Sequence, residues 1–279
     1  MEDIWYINSR NQKLNLTQWP YQIADNDLLS FAWSYSSQSN AGMNGGKILS
    51  FTRGITTKHL MITVAADTLQ EYYDAINQLN DLTGLDIINV TPGRLQWGNQ
   101  YMTCYMYGSS AQTGWNMDAL QMDKDFSVVS PYPFWITERT YEFPAGAGEY
   151  ADGGRYAIQY PRRYANSMTE SYLVNESPYD TQFRMIIYGP VREPLVMING
   201  CRYYVNVLLE ENEYLEINSR VGTIYKTLND GTKENCFHLR EMDNAVFTPI
   251  SPGRNRVSWS GEYRFDLTIF EERSEPKWQ

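Results

Sequence analysis

The sequence predicts a mainly β protein, a β-rich α+β chain with a single helix, organised as two domains. Three observations carry this. At 279 residues the chain exceeds the ~100–200 residues of an ordinary single domain. Aromatic residues make up 14% of it, with 22 Tyr and 8 Trp, and rings fit best on pleated half-buried surfaces and at interfaces. Beyond Arg184, apolar and polar residues alternate in short runs broken by Gly, Pro and Asn turns, the pattern of an antiparallel β-sandwich.

The elements follow in order. Residues 1–145 are expected to form the first domain. Ile4 to Ile7, Leu14 to Leu16 and a run from Leu28 to Tyr35 read as short strands. Ser36 to Gly46 is small, polar and Gly-rich and reads as a mobile loop, followed by two strands, Lys47 to Arg53 and His59 to Ala65. One helix is clear. Thr68 and Glu71 stand three apart as a capping box, while Leu69, Tyr72, Tyr73, Ile76, Leu79 and Leu82 recur at helical spacing and Gly84 supplies the stop. Asp86 to Val90 and Pro92 to Leu95 then lead into a strand at Tyr101 to Tyr107, and at least one more strand lies within Trp115 to Val129. These strands and the helix make a small sheet or split barrel.

A Gly-rich stretch places a linker at residues 146–154, and residues 155–279 are expected to form the second domain. There Leu195 to Ile198, Asn199-Gly200 and Cys201 to Leu208 read as a hairpin, Asn-Gly being suited to a type I′ turn. Glu213 to Ser219 is another strand. Gly222 to Leu228 and Lys233 to Leu239 form a second hairpin, Asn255 to Trp259 follows the turn at Pro252-Gly253, and the last strand runs from Tyr263 to Glu271. In that last strand Tyr263, Phe265, Leu267 and Ile269 face in while Arg264, Asp266 and Thr268 face out.

Several function classes are disfavoured by residue types and spacing. The net charge of −10 comes with scattered Lys and Arg, no series of which could neutralise phosphates, so specific nucleic-acid binding is not expected. Three cysteines, Cys104, Cys201 and Cys236, have no metal-binding spacing and read as reduced thiols. No basic and apolar leader and no 18-residue apolar run is present, so neither a signal peptide nor membrane insertion is expected. Only two histidines occur. His59 and His238 lack a second ligand at metal spacing, and the Cys236/His238 pair on a strand lacks an orienting group, so core packing is the better reading for both. The acidic runs Glu210-Glu211-Glu213 and Glu271-Glu272 read as solvated loop faces, and no glycine pattern opens a phosphate-binding helix. No catalytic, metal or cofactor residue is therefore assigned. Trp5, Trp19, Trp97, Trp115, Trp135, Trp259 and Trp278 divide between core positions and contact surfaces.

A set of strings, taken in order, resembles the distal tail protein (Dit) family of long-tailed bacteriophages, in the form found in phages and prophages of Gram-positive bacteria. In the first half these are Trp5-Tyr6-Ile7-Asn8, Leu14-Asn15-Leu16, Thr91-Pro92-Gly93-Arg94-Leu95 and Pro133-Phe134-Trp135. The second half has Ile187-Tyr188-Gly189-Pro190, Ile198-Asn199-Gly200-Cys201-Arg202-Tyr203, Glu213-Tyr214-Leu215-Glu216-Ile217, Ser251-Pro252-Gly253-Arg254-Asn255 and the closing Glu272-Arg273-Ser274-Glu275-Pro276-Lys277-Trp278. The resemblance implies a non-enzymatic virion protein of the tail tip or baseplate, assembled in the host cytoplasm. Its N-terminal split barrel would close a homo-hexameric ring through which DNA passes, and its C-terminal galectin-like sandwich would lie outside. Implied partners are the tail tube protein, a tail-associated lysin or tail-tip hub protein, and receptor-binding proteins. Ring closure needs head-to-tail contacts; the loop holding Ser36, Asn40, Met43 and Asn44 is the candidate contact arm. The alternative is a carbohydrate-binding adhesin of the tail tip that recognises host cell-wall sugars.

Overall fold

A computed structural model describes residues 3–40, 42, 44–116, 120–146, 169–242 and 246–278; for residues 112–116 it describes the backbone only. The chain is mainly β with one α-helix among the described residues, and it divides into two compact units. The first comprises residues 1–137 and 272–279, the second 138–271.

The first unit begins with β1 (Ile4–Ile7), β2 (Lys13–Asn15) and β3 (Tyr21–Asn26), continues through β4 (Ser34–Gln38), β5 (Lys47–Thr52) and β6 (Thr56–Ala65), and then enters α1 (Leu69–Ile88). After the helix come β7 (Gly93–Trp97), β8 (Gln100–Asn116), β9 (Gln121–Ser130) and the start of β10 (Trp135–Phe143). Antiparallel pairing runs β3-β6-β9-β8-β7-β1-β2. Strand β8 is long enough to serve twice: Gln100 to Cys104 pairs with β7, and the register with β9 starts at Tyr105 and shifts at three bulges. Such bulges bend a long strand and raise its twist. Leu60, Ile62, Val64, Leu95, Met102, Cys104, Phe126 and Val128 face inwards and share one core with Ala75, Leu79 and Leu82 of the helix.

The second unit takes the rest of β10, then β11 (Thr169–Asn175), β12 (Gln182–Tyr188), β13 (Val191–Arg192), β14 (Leu195–Ile198), β15 (Cys201–Tyr204) and β16 (Leu208–Leu209). It continues with β17 (Tyr214–Asn218), β18 (Thr223–Thr227), β19 (Lys233–Asn235), β20 (Gly253–Trp259) and β21 (Phe265–Arg273). Two antiparallel arrays, β19-β18-β17-β12-β21 and β11-β20-β14-β15, contribute to one core. Phe183, Met185, Ile187, Leu215, Ile217 and Leu267 enter it from the first array, and Leu173, Val196, Ile198, Val257 and Trp259 from the second. At its centre Phe143 stacks on Phe265 at 4.5 Å and Trp259 meets Phe265 edge-on at 5.3 Å. The polar ends of the buried rings are satisfied: Trp259 Nε1–H donates to Tyr263 O at 3.1 Å, and Tyr263 OH donates to Leu195 O at 2.7 Å.

Several local expectations need correction. The helix does not stop at Gly84 but runs on to Ile88, taking in the start of the segment expected to lead from the helix to the next strand. Its last turns are held by tertiary contacts, since buried Asp86 accepts hydrogen bonds from Tyr6 OH at 2.5 Å and the Ser9 N–H at 2.8 Å. An interior Gly costs a helix only about 1 kcal/mol, less than these contacts return. The expected capping box is present at Thr68 and Glu71, but Leu69 and Tyr73 lie on the exposed side. The strand read from Leu28 to Tyr35 does not form before Ser34. Strand β5 pairs backwards with β4, so Ser36 to Gln38 of the expected loop are in fact strand. In the second unit β19 ends at Asn235, and Phe237–Leu239 is a 3₁₀ turn, which takes His238 off any strand and leaves its side chain exposed. Thr268, read as facing solvent, is buried and shares a 2.9 Å hydrogen bond with Thr140. Glu213, read as part of a solvated acidic run, is buried and paired with Lys226 at 2.7 Å, and that contact holds its carboxyl below the usual range.

The Asn199-Gly200 turn has φ of 49° and 85°, the two positive angles a type I′ hairpin requires. The expected linker at 146–154, apart from Gly146, and the first part of 155–180 fall outside the described residues.

Candidate functional site

The feature of the first unit that its own core does not explain is the β4–β5 hairpin. The two strands pair only with each other, from Ser34↔Thr52 to Gln38↔Lys47. Every residue of both strands is exposed. A lone two-stranded hairpin is marginally stable in water, yet this one carries large apolar side chains. Tyr35 is 63% exposed, Phe51 57% and Ile48 51%, and Phe31, Trp33, Leu49 and Ile55 are also exposed.

The register puts three of these side chains together. Phe51 and Ile48 are three apart and would point to opposite faces of a regular strand. A shift between Ser36 and Ser37 pairs Ser36 with Ser50 and Ser37 with Ile48, so one extra residue, Leu49, sits on β5. That bulge restores the parity, and Tyr35, Phe51 and Ile48 share a face. Tyr35 and Phe51 are directly paired, with ring centroids 6.3 Å apart. Ser36 Oγ and Ser50 Oγ share a 2.7 Å hydrogen bond beside them. The result is an apolar stripe on a slender two-stranded arm.

Of the four contact residues expected from sequence, Ser36 lies within β4 and Asn40 and Asn44 lie in the connection between the strands; Met43 is outside the described residues. The sequence reading found the tip of the arm and missed its apolar stripe. The available signal was the run Ile48-Leu49-Ser50-Phe51, which a strand reading assigns to a core by default.

The arm is fastened where it meets the unit. Buried Lys58 donates from Nζ to the carbonyls of Asp27, at 3.1 Å, and Ser30. The neighbouring His59 is held on three sides: its backbone N–H donates to Asp27 Oδ1 at 2.6 Å, Nδ1 lies 2.6 Å from Asp125 Oδ1, and Nε2 lies 3.3 Å from Asp25 Oδ2. The hydrogen bond to Asp125 raises the pKa of His59, with Asp25 adding to it. His59 therefore has carboxylate partners that chain spacing hid, since Asp125 is 66 positions away.

Elsewhere little chemistry assembles. Among the described residues no group of three or more His, Cys, Asp and Glu could hold a metal. Cys104 is buried, and burial pushes its thiol up to about 12. A cleft of about 270 Å³ near the start of β7 is lined by Asn8, Ser9, Thr91, Arg94, Tyr101 and Thr103, none of which is an acid or a histidine. Of the tryptophans, Trp135 and Trp259 are core residues and Trp19 and Trp278 are exposed. The side chain of Trp115 is outside the described residues.

Comparison with known proteins gives a consistent answer at the level of fold. No family model and no curated protein matches the sequence. Solved structures do match. The SPP1 Dit (gp 19.1) protein, described as a paradigm of the hub adsorption apparatus in phages infecting Gram-positive bacteria, superposes with a TM-score of 0.64 at 11% identity, covering 98% of this chain and 99% of that one. Chains of the phage p2 baseplate in its activated conformation match with TM-scores of 0.66 (strontium form, 12% identity, 99% of this chain and 100% of that one) and 0.65 (calcium form, 13% identity, 99% of each). The chain has, over nearly its whole length, the fold of phage distal tail and baseplate proteins.

Proposed function

We propose that this chain is a structural hub protein of a phage tail tip, a distal tail protein that assembles into a hexameric ring joining the tail tube to the tail-tip or baseplate proteins and carrying receptor-binding components. The observation that carries the reading is the apolar stripe of Tyr35, Ile48 and Phe51 on an arm that no other described residue covers. Exposed contiguous apolar surface of this kind marks a protein contact. Burying three side chains that are each slightly over half exposed would return about 1 kcal/mol apiece, enough to order the arm on a neighbour.

The occupant we assign to the arm is a second copy of the chain. A ring needs head-to-tail contacts, so each subunit must present one surface that reaches out and another that receives. A projecting hairpin is such a reaching surface, with Ser36 on its first strand and Asn40 and Asn44 in its connection as candidate contacts. In this reading the first unit, a split β-barrel, closes the ring. The second is a galectin-like sandwich placed outside it. The fold likeness to the SPP1 Dit protein and the p2 baseplate supports this reading at the level of architecture. The net charge of −10 suits a lumen that DNA must cross without sticking. The sugar-binding alternative has less to rest on, because Trp135 and Trp259, two of its candidate stacking rings, are buried.

The test is the mass of the assembly. Light scattering of the purified chain is expected to give six copies, and averaged electron micrographs a six-fold ring. The triple variant Tyr35→Ser, Ile48→Thr, Phe51→Ser is expected to be monomeric. A wild-type monomer at high concentration that binds cell-wall glycans would reverse the ranking in favour of the adhesin.

A further inference from the structure

The arm is joined to its unit by two single strands of chain, and both meet one side chain. Phe31 and Trp33 immediately precede β4, and Arg53 immediately follows β5. The Arg53 guanidinium lies 5.8 Å from the Phe31 ring centre and 5.6 Å from that of Trp33. A third ring, Phe134, comes from the segment between β9 and β10 and is the nearest at 4.7 Å. Phe134 is itself fixed, edge-on to Trp33 at 5.9 Å and against Tyr132 at 5.0 Å. Arg53 Nε and Nη1 are buried and have no hydrogen-bond partner among the described residues. The electron-rich ring faces are what this cation has in place of oxygen acceptors.

An arginine in this setting is costly as a core residue, since buried guanidinium donors ordinarily demand oxygen partners. It is well suited to another task. Its contacts join the entering root of the arm, the leaving root and the body, in one place. Gly54 follows directly with open space around its Cα, and its carbonyl accepts one hydrogen bond, from Thr56 Oγ1 at 3.2 Å. Lys58 ties down Asp27 and Ser30, but those carbonyls precede the cage; from Phe31 to the start of β4 the contacts seen among the described residues are those of the rings with Arg53 and Phe134.

We propose that Arg53, caged by Phe31, Trp33 and Phe134, is the positioning residue that fixes the direction in which the β4–β5 arm leaves its unit, so that the arm is aimed before it meets a partner. The inference rests on the assignment of the arm to inter-subunit contact, and it adds how the contact is prepared. An arm that swings must be ordered on binding, and the loss of that freedom subtracts from affinity; an aimed arm has met this cost in folding. Arg53 then contributes to assembly without touching the neighbour.

Intrachain spin-label distances test this. Labels at Ser37→Cys on the arm and Asn77→Cys on the helix, in a Cys201→Ser background diluted with unlabelled chain, report the arm's direction by pulsed electron resonance. The parent is expected to give one narrow distance distribution. Arg53→Met, which keeps the stem and removes the cation, and Phe134→Leu, which removes the ring on the body side, are each expected to at least double its width. The denaturation midpoint should stay unchanged and the subunit concentration needed for assembly should rise about tenfold. A distribution as narrow in both variants as in the parent overturns the proposal, even if the protein forms rings. If the parent is monomeric the ring reading fails, and the widths still decide whether the cage aims the arm.

Discussion

The core of the second unit and the arm of the first use the same side chains to opposite ends. Around Phe265 the rings of Phe143 and Trp259 are at stacking and edge-on distances, and Trp259 and Phe265 are wholly buried. On the arm, Tyr35 and Phe51 are paired across two strands in a looser, tilted contact at 6.3 Å, and more than half of each remains exposed. Aromatic contact is thus common to both regions; what differs is whether a second layer lies over it. The second unit provides that layer from its own chain, through two arrays that share one core. Among the described residues the arm has none, and in the proposed reading a second copy of the chain supplies it.

The sharpest way to break the comparison is to remove a ring from each side. Trp259→Ala should cost the second unit about 3–5 kcal/mol, read as a lower midpoint in chemical denaturation followed by Trp fluorescence or circular dichroism. A loss below about 1 kcal/mol would mean that this core is not the dense one described. Next in size is Asp86→Ala in the first unit. It leaves Tyr6 OH and the Ser9 N–H without their acceptor in a buried place and should cost roughly 2–4 kcal/mol, since each orphaned group carries about 1–3.

A smaller effect depends on pH. The folded-state pKa of His59 is raised by Asp125 and Asp25, so folding binds its proton more tightly than the unfolded chain does. Its contribution is complete below the unfolded value of about 6.5 and is lost as pH rises through the raised folded value. His59→Asn should therefore destabilise the first unit more at pH 5 than at pH 9. The difference should stay under about 1 kcal/mol, because His59 and Asp25 are partly exposed to solvent. A larger penalty at pH 9 would contradict the sign. Last, Tyr35→Ser with Phe51→Ser should change the stability of the separated monomer by no more than about 0.5 kcal/mol while it abolishes the oligomer. A large loss of monomer stability would show that the arm is part of its own unit's core, and the contrast would collapse.

Much of this was legible in the chain. The β-rich class, the lone helix with its Thr68–Glu71 cap, the Asn199-Gly200 turn and the inward set Phe265, Leu267 and Ile269 all follow from local rules, because period, caps and turn residues are local properties. What was not legible depends on partners far away in sequence. The helix outlasts Gly84 because Tyr6 and Ser9 reach Asp86 from about 80 positions away. His59 gains Asp125, and Arg53 gains Phe134, through pairings that no spacing encodes. The hairpin was half visible. Its polar tip announces a loop, while Ile48 and Phe51 look like core residues until the bulge at Leu49 and the absence of a covering sheet are known.

The chain enters the second unit within β10 and re-enters the first within β21, and its last described residues do not dangle. Lys277 exchanges two hydrogen bonds with Gln100, at 2.6 and 2.9 Å, and Trp278 stands edge-on to Trp97 at 5.2 Å. The second unit is thus a cassette spliced into the first between Thr137 and Glu272. A stop codon placed after residue 145 would not isolate the first unit but leave it without its closing clasp. The faithful dissection is an internal deletion that joins the two ends of the cassette site. The same layout makes this the natural place to exchange one cassette for another while leaving the arm and its cage untouched.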